Sequence, residues 1–341
     1  MIDLKNIKKL IRNLLVFVVL IAITLWVILK DQSIEEVVEV FSHVKMRYVY
    51  IGITCMTVYL LLEGINMRRT LKELGEKVSI MQAFKYSLIG FFFSSITPAA
   101  SGGQPMQIYY MHKDKIQVSN STLALIINLA SMQIITISMA FISLVLNYSF
   151  MNKVLITFFI VGISLNASAL FILIAGIFSK RLSKWLIKLA VKIMILFRIR
   201  NIWSKKRKLM IELKSYQSSA LYIRNNKKLM VKTITTTFIQ FTFYYSISYW
   251  TYLSLGFNSH NILELITMQS ILFATVSGIP SPGAVGVSEG AFIEIYRNIY
   301  PTNMIKSATL ITRGINFYLF VLISGIVVIV NEIRNKEKEE W

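Results

Sequence analysis

Apolar positions in this chain come in long blocks. They follow neither the alternation of a half-buried strand nor the one-sided stripe of a water-facing helix. Mostly apolar runs occupy residues 14 to 29, 47 to 67, 121 to 146, 154 to 178, 230 to 256 and 306 to 330. A helix needs about 20 residues to cross a ~30 Å hydrocarbon layer, so each run predicts one spanning helix. Two other stretches, 80 to 112 and 262 to 296, are too long for one crossing and too short for two. Each is interrupted in the middle, the first at Thr97-Pro98-Ala99-Ala100-Ser101-Gly102-Gly103-Gln104-Pro105 and the second at Pro280-Ser281-Pro282-Gly283-Ala284-Val285-Gly286-Val287-Ser288-Glu289. Proline removes a backbone donor and glycine loosens the turn, so each stretch predicts two half-helices meeting at a bend inside the membrane, a re-entrant hairpin. The expected fold is an all-α polytopic membrane protein with about six full transmembrane helices and two such hairpins, in one domain spanning residues 1–341.

Composition agrees with that reading: 55% of the residues are apolar and 16% charged, against about 25% charged in an ordinary soluble domain. The net charge of +20 gains meaning from its position. Lys5, Lys8, Lys9 and Arg12 precede the first run, and Lys30, Asp31 and Gln32 follow it in place of a small-residue cleavage site, so it reads as a retained anchor. With hairpins that return to the side they left, Arg68, Arg69, Lys72, Lys77, Lys113, Lys115 and the tail with Arg334, Lys336 and Lys338 share one face. The loop with Asp31, Glu35, Glu36 and Glu39 takes the other. Residues 180 to 232 carry 16 Lys and Arg against Glu212 alone, about +15 of the total. By the positive-inside rule this face and both termini are expected to be cytoplasmic, and the expected location is a plasma membrane, that of a bacterial cell. Within that loop Leu182, Trp185, Leu186, Leu189, Ile193, Leu196 and Phe197 share a face opposite Lys180, Lys184, Lys188 and Lys192, the pattern of an interfacial amphipathic helix on anionic lipid. Orientation and anchoring explain the charge, with a cytoplasmic lipid synthase docked there as the other reading. Nucleic acid is disfavoured because no recognition motif accompanies the charge.

The order of elements repeats. Helix 47 to 67, hairpin 80 to 112 and helix 121 to 146 are followed by 230 to 256, 262 to 296 and 306 to 330 in the same order with reversed polarity. The halves, about 47–146 and 230–330, therefore predict an inverted repeat, the arrangement by which many transporters expose one site to either side.

Catalytic chemistry finds little support. Cys55 is the sole cysteine, and His43, His112 and His260 fit no metal-ligand spacing, so neither a metal nor a cofactor is expected. Gly286-Val287-Ser288-Glu289-Gly290 fits the hydrolase elbow G-x-S-x-G, but no histidine follows Ser288 and the surroundings are apolar helix. Ionisable residues inside the bilayer are the sharper signal, because a charge at a helix centre costs about 2.5 to 3.5 kcal/mol on insertion scales. Glu63, Glu289 and Arg313 qualify, Arg313 lying roughly 10 Å beyond Lys306 at 1.5 Å per residue. Glu264, Glu294 and Arg297 fall near the outer interface, where solvation explains them. Half-helices starting near Gly103-Gln104-Pro105 and Ser288-Glu289 would turn free N–H groups toward the centre, where they suit a phosphate. Thr97, Ser101 and Gln104 would add neutral hydrogen bonds, and Glu63 or Glu289 would hold a cationic or hydroxyl-rich group. Gly102, Gly103, Gly283, Gly286 and Ser288 complete the candidate site, and Pro98, Pro105, Pro280 and Pro282 set its bends.

The motif Thr97 to Pro105, together with Pro282-Gly283-x-x-Gly286-x-x-Glu289 and then Arg313, resembles the lysylphosphatidylglycerol synthase transmembrane, or flippase-like, family over nearly the whole chain. The resemblance implies translocation of a polar-headgroup lipid, aminoacyl-phosphatidylglycerol or a glycolipid, between leaflets. Fused members carry a soluble lysyltransferase domain after this region. The chain here ends eleven residues past Val330, so a transferase activity of its own is not expected. The alternatives are a membrane subunit or anchor of a lipid-modifying transferase such as phosphatidylglycerol lysyltransferase, and a small-solute transporter.

Overall fold

The computed structural model describes residues 42–147, 153–178, 218–222, 225–279 and 281–339. The anchor at 14 to 29, most of the basic loop with its amphipathic helix, and Pro280 lie outside them. The described part is built from ten α-helices, and no strand occurs among its residues. In chain order they are α1 (Met46–Glu73), α2 (Ile80–Ser95), α3 (Gly103–Lys113), α4 (Val118–Leu146), α5 (Lys153–Phe178), α6 (Lys227–Ser254), α7 (Ile262–Val276), α8 (Val287–Tyr296), α9 (Ile305–Arg313) and α10 (Leu319–Glu339).

Among the described residues four helical stretches are long and apolar enough to cross a membrane: Met46–Glu73, Val118–Leu146, Leu155–Ile174 and the run Ile305–Glu332 formed by α9 and α10. Their outer faces expose Phe141, Ile142, Val145, Phe158, Val161, Phe171, Ile172, Leu322, Ile326 and Ile329. So much contiguous exposed apolar surface requires a non-aqueous solvent. The chain is a multi-pass membrane protein.

α6 differs from expectation. At 28 residues it is long enough to span, but its Thr, Ser, Tyr and Gln residues keep it out of the apolar set. Two things make that polarity tolerable, burial of Thr237 and Ser246 against protein and the return of hydroxyls to the helix's own carbonyls: Thr237 Oγ1 to Thr233 O at 2.9 Å, Ser246 Oγ to Phe243 O at 2.8 Å and, on the exposed side, Thr242 Oγ1 to Phe238 O at 2.9 Å.

α1 and α6 form the central seam, antiparallel along their whole length. Lys45 N donates to Ser254 O at 2.8 Å, Ser246 Oγ approaches Cys55 Sγ at 3.6 Å, Asn66 Nδ2 donates to Thr237 Oγ1 at 3.0 Å and Asn226 Nδ2 donates to Glu73 Oε2 at 3.2 Å. α2 and α3 fold back on each other, so Lys85, near the start of one, reaches Asp114, at the end of the other, at 2.7 Å. α7 and α8 do the same, the Tyr296 hydroxyl donating to Gln269 Oε1 at 3.1 Å. Each hairpin begins with a capping box, Ser79 with Gln82 and Asn261 with Glu264. Each bends through a short 3₁₀ turn opened by proline, Pro98–Ala100 and Pro282–Ala284. α4 packs on α7 and α10 packs on α2, so the last helix of each block lies on the hairpin of the other.

Candidate functional site

The two bends lie against each other, with Pro98, Ala100 and Ser101 of the first exposed and Pro282, Gly283 and Ala284 of the second half-buried. Val285 of the second bend packs into the apolar cluster of the first hairpin with Phe93, Ile96 and Phe317. Beside this contact lies a buried ion pair. Arg313, the last residue of α9, donates from Nε to Glu289 Oε1 at 2.7 Å, with side chains 8% and 2% exposed. Its Nη2 donates to Gly283 O at 3.0 Å, tying the second bend to α9. The Tyr318 hydroxyl donates to the same Glu289 Oε1 at 3.0 Å, and the Gly286 N–H donates to Oε2 at 2.7 Å. One carboxylate thus takes a guanidinium, a phenol and a backbone amide at a helix N-terminus. Such a pair is tolerated at this burial only because donors surround it.

Local backbone choices build this arrangement. Gly283 has φ 60°, and a Cβ there would run into the Phe317 ring. Gly286 has φ 85°, which turns its N–H onto the carboxylate three residues on. After Arg313 the helix widens into a π-turn, Gly314–Tyr318. In a regular α-helix a residue five positions on points well away; an i to i+5 turn brings Tyr318 back over Arg313. Phe317, one residue earlier, carries the guanidinium 4.1 Å from its ring centroid.

The family described as Lysylphosphatidylglycerol synthase TM region matches residues 13–324. The chain belongs to this family. A UPF0104 membrane protein of Pyrococcus horikoshii is 24% identical to it over 331 residues, which are 93% of this chain and 96% of that protein. Membership makes the chain a membrane region of the lysylphosphatidylglycerol synthase type.

The candidate residues do not all meet at one place. Glu289, Arg313, Gly283 and Gly286 meet directly in the ion-pair network. Thr97, Gly102 and Gly103 shape the first bend: Thr97 Oγ1 donates to Phe93 O at 2.6 Å and accepts from Gly102 N at 2.9 Å, while Gly103 lies against Gly90 O with room for no Cβ. Pro98 and Pro282 open the 3₁₀ turns, and Pro105 sits in the first turn of α3. Ser101 is exposed, Gln104 half-buried and Ser288 buried. Glu63 stands apart on α1, part-buried beside Gln107 and Tyr59. A tyrosine pair lies next to it, the rings of Tyr59 and Tyr244 being 4.9 Å apart, and Tyr244 lies within the electrostatic reach of Arg313.

Sequence reasoning missed Tyr59, Gln107, Tyr244, Phe317 and Tyr318. Gln107, a buried amide whose Nε2 donates to Tyr86 O at 3.1 Å, is visible as a polar residue in an apolar half-helix. Tyr318 gives no such signal, since its spacing from Arg313 fits the site only through the π-turn.

Proposed function

We propose that this protein moves a lipid with a polar, phosphate-bearing headgroup between leaflets, the acyl tails remaining in the bilayer. The observation that carries the reading is the meeting of two broken-helix hairpins at their bends, beside a buried Arg313–Glu289 pair. The antiparallel seam of α1 and α6, the matched capping boxes and the reciprocal packing of α4 and α10 on the opposite hairpins support an inverted repeat of 47–146 and 230–330. The hairpins are then re-entrant, six helices span, and the basic faces and both termini are cytoplasmic. Rocking of one half on the other carries the site between leaflets.

In this scheme Arg313 supplies the charge for the phosphate. The N-terminus of α3, which has no side-chain cap, adds backbone donors near Gln104 and Ser101. Glu63, with Gln107, Tyr59 and Tyr244, faces the rest of the headgroup. Aminoacyl-phosphatidylglycerol is the cargo class that the family relationship favours, with phosphate-bearing glycolipids as the other class that this chemistry admits.

The test is movement of headgroup-labelled lipid across vesicles holding the purified chain, against protein-free vesicles. The family's name favours one other reading, a membrane subunit of a lipid-modifying transferase. That reading predicts no movement by the chain alone, and product formation once a soluble synthase is bound.

A further inference from the structure

Glu289 is poorly explained as a ligand for the rest of the headgroup, because both its oxygens already take donors from the protein. Oε1 accepts from Arg313 Nε and the Tyr318 hydroxyl, and Oε2 accepts from Gly286 N. These are the groups that would bind a phosphate: a guanidinium, a phenol and the N-terminus of a helix. The first hairpin shows that the acid is not needed to form a bend. There α3 starts after an equivalent 3₁₀ turn with no side-chain cap, and Pro105 occupies the third helical position that Glu289 occupies in α8.

We propose that Glu289 is a resident stand-in for phosphate, filling the anion position made by Arg313, Tyr318 and the α8 N-terminus until a phosphate-bearing headgroup displaces it. Glu289 then sets affinity by competition. Its negative charge stays close after displacement and opposes the incoming phosphate, so the bound anion is released again as the carboxylate returns. The ligand class follows from the proposed function, whereas the competition itself is read from the donors around one carboxylate.

The test is binding to the full chain in detergent, by titration calorimetry, of two probes: inorganic phosphate and dihexanoyl-phosphatidylglycerol, with dihexanoylglycerol as the uncharged control. Glu289→Gln is expected to bind anionic probes at least tenfold more tightly than wild type. Glu289→Asp, which keeps the charge but is too short to hold Gly286 and Arg313 together, is expected to fall between them, and it serves if the Gln variant folds poorly. Arg313→Gln is expected to lose binding. Tightening for both probes assigns the position to a lipid headgroup, and tightening for inorganic phosphate alone assigns it to free phosphate. Equal affinities in folded wild type and variants, or weaker binding by both Glu289 variants, overturn the proposal. Tighter binding without lipid movement in vesicles would leave the stand-in role intact and remove the transport reading instead.

Discussion

Asn66 and Thr237 lie 171 residues apart in the chain and are joined at the central seam, Asn66 Nδ2 donating to Thr237 Oγ1 at 3.0 Å. Ser131 Oγ meets the same hydroxyl at 2.9 Å, and Arg69 Nη1 donates to Asn66 Oδ1 at 2.9 Å, so three helices share one buried polar node. Thr237→Val keeps the shape and removes the node's centre, leaving Asn66 and Ser131 short of a partner. A loss of about 1 to 3 kcal/mol is expected, seen as a lower Tm in detergent. Thr242→Val, whose hydroxyl is exposed and bonds its own helix, is expected to change Tm little.

The ion pair should behave as a unit. Arg313→Ala or Glu289→Ala alone strands a buried charge and is expected to cost about 3 to 5 kcal/mol. The double substitution should cost clearly less than the two single losses together, which a thermal-unfolding double-mutant cycle reads directly. Simple additivity would mean that the 2.7 Å contact carries no energy.

Two glycines in the second hairpin should respond in opposite senses. Gly283→Ala drives a side chain into the Phe317 ring at a backbone φ of 60° and should destabilise by about 1 to 3 kcal/mol. Gly290→Ala, inside α8 with open space around it, should leave stability unchanged or raise it by up to about 1 kcal/mol. Melting curves of the two variants, measured side by side, check the contrast.

Lys85 and Asp114 close the first hairpin at its open end, where the Tyr86 hydroxyl also donates to Asp114 Oδ2 at 2.6 Å and Lys113 reaches Glu332 of α10 at 3.3 Å. The Lys85 and Asp114 side chains are 22% and 24% exposed, so the pair is worth about 1 kcal/mol or less and weakens with salt. Lys85→Asp is therefore expected to lower Tm slightly, with Lys85→Asp/Asp114→Lys recovering the loss at low ionic strength.

Much of this architecture is legible in the sequence because membranes simplify it. Block-like apolarity predicts the long helices, and Pro98 and Pro282 locate both bends, since proline cannot continue the backbone ladder. Glu289 and Arg313 stand out because a lone charge is costly in hydrocarbon. Their pairing partners are another matter. Tyr318 joins the network through a π-turn whose width Gly314 at its start does not by itself announce, and Gly286 reaches Glu289 through a positive φ that the sequence permits but does not require. The polar composition of α6 likewise makes sense only once its burial against α1 is seen.

The central claim is that the paired bends and Arg313 carry a phosphate headgroup across the bilayer. The most direct measurement is the rate at which fluorescent headgroup-labelled aminoacyl-phosphatidylglycerol, phosphatidylglycerol and a glycolipid become accessible to a membrane-impermeant quencher in proteoliposomes. Wild type and Arg313→Ala are reconstituted at matched amounts, with folding verified by Tm. The account predicts exchange of at least one phosphate-bearing lipid well above protein-free vesicles, reduced at least tenfold by the substitution. Exchange at the protein-free rate for every lipid, or exchange indifferent to Arg313, would contradict it.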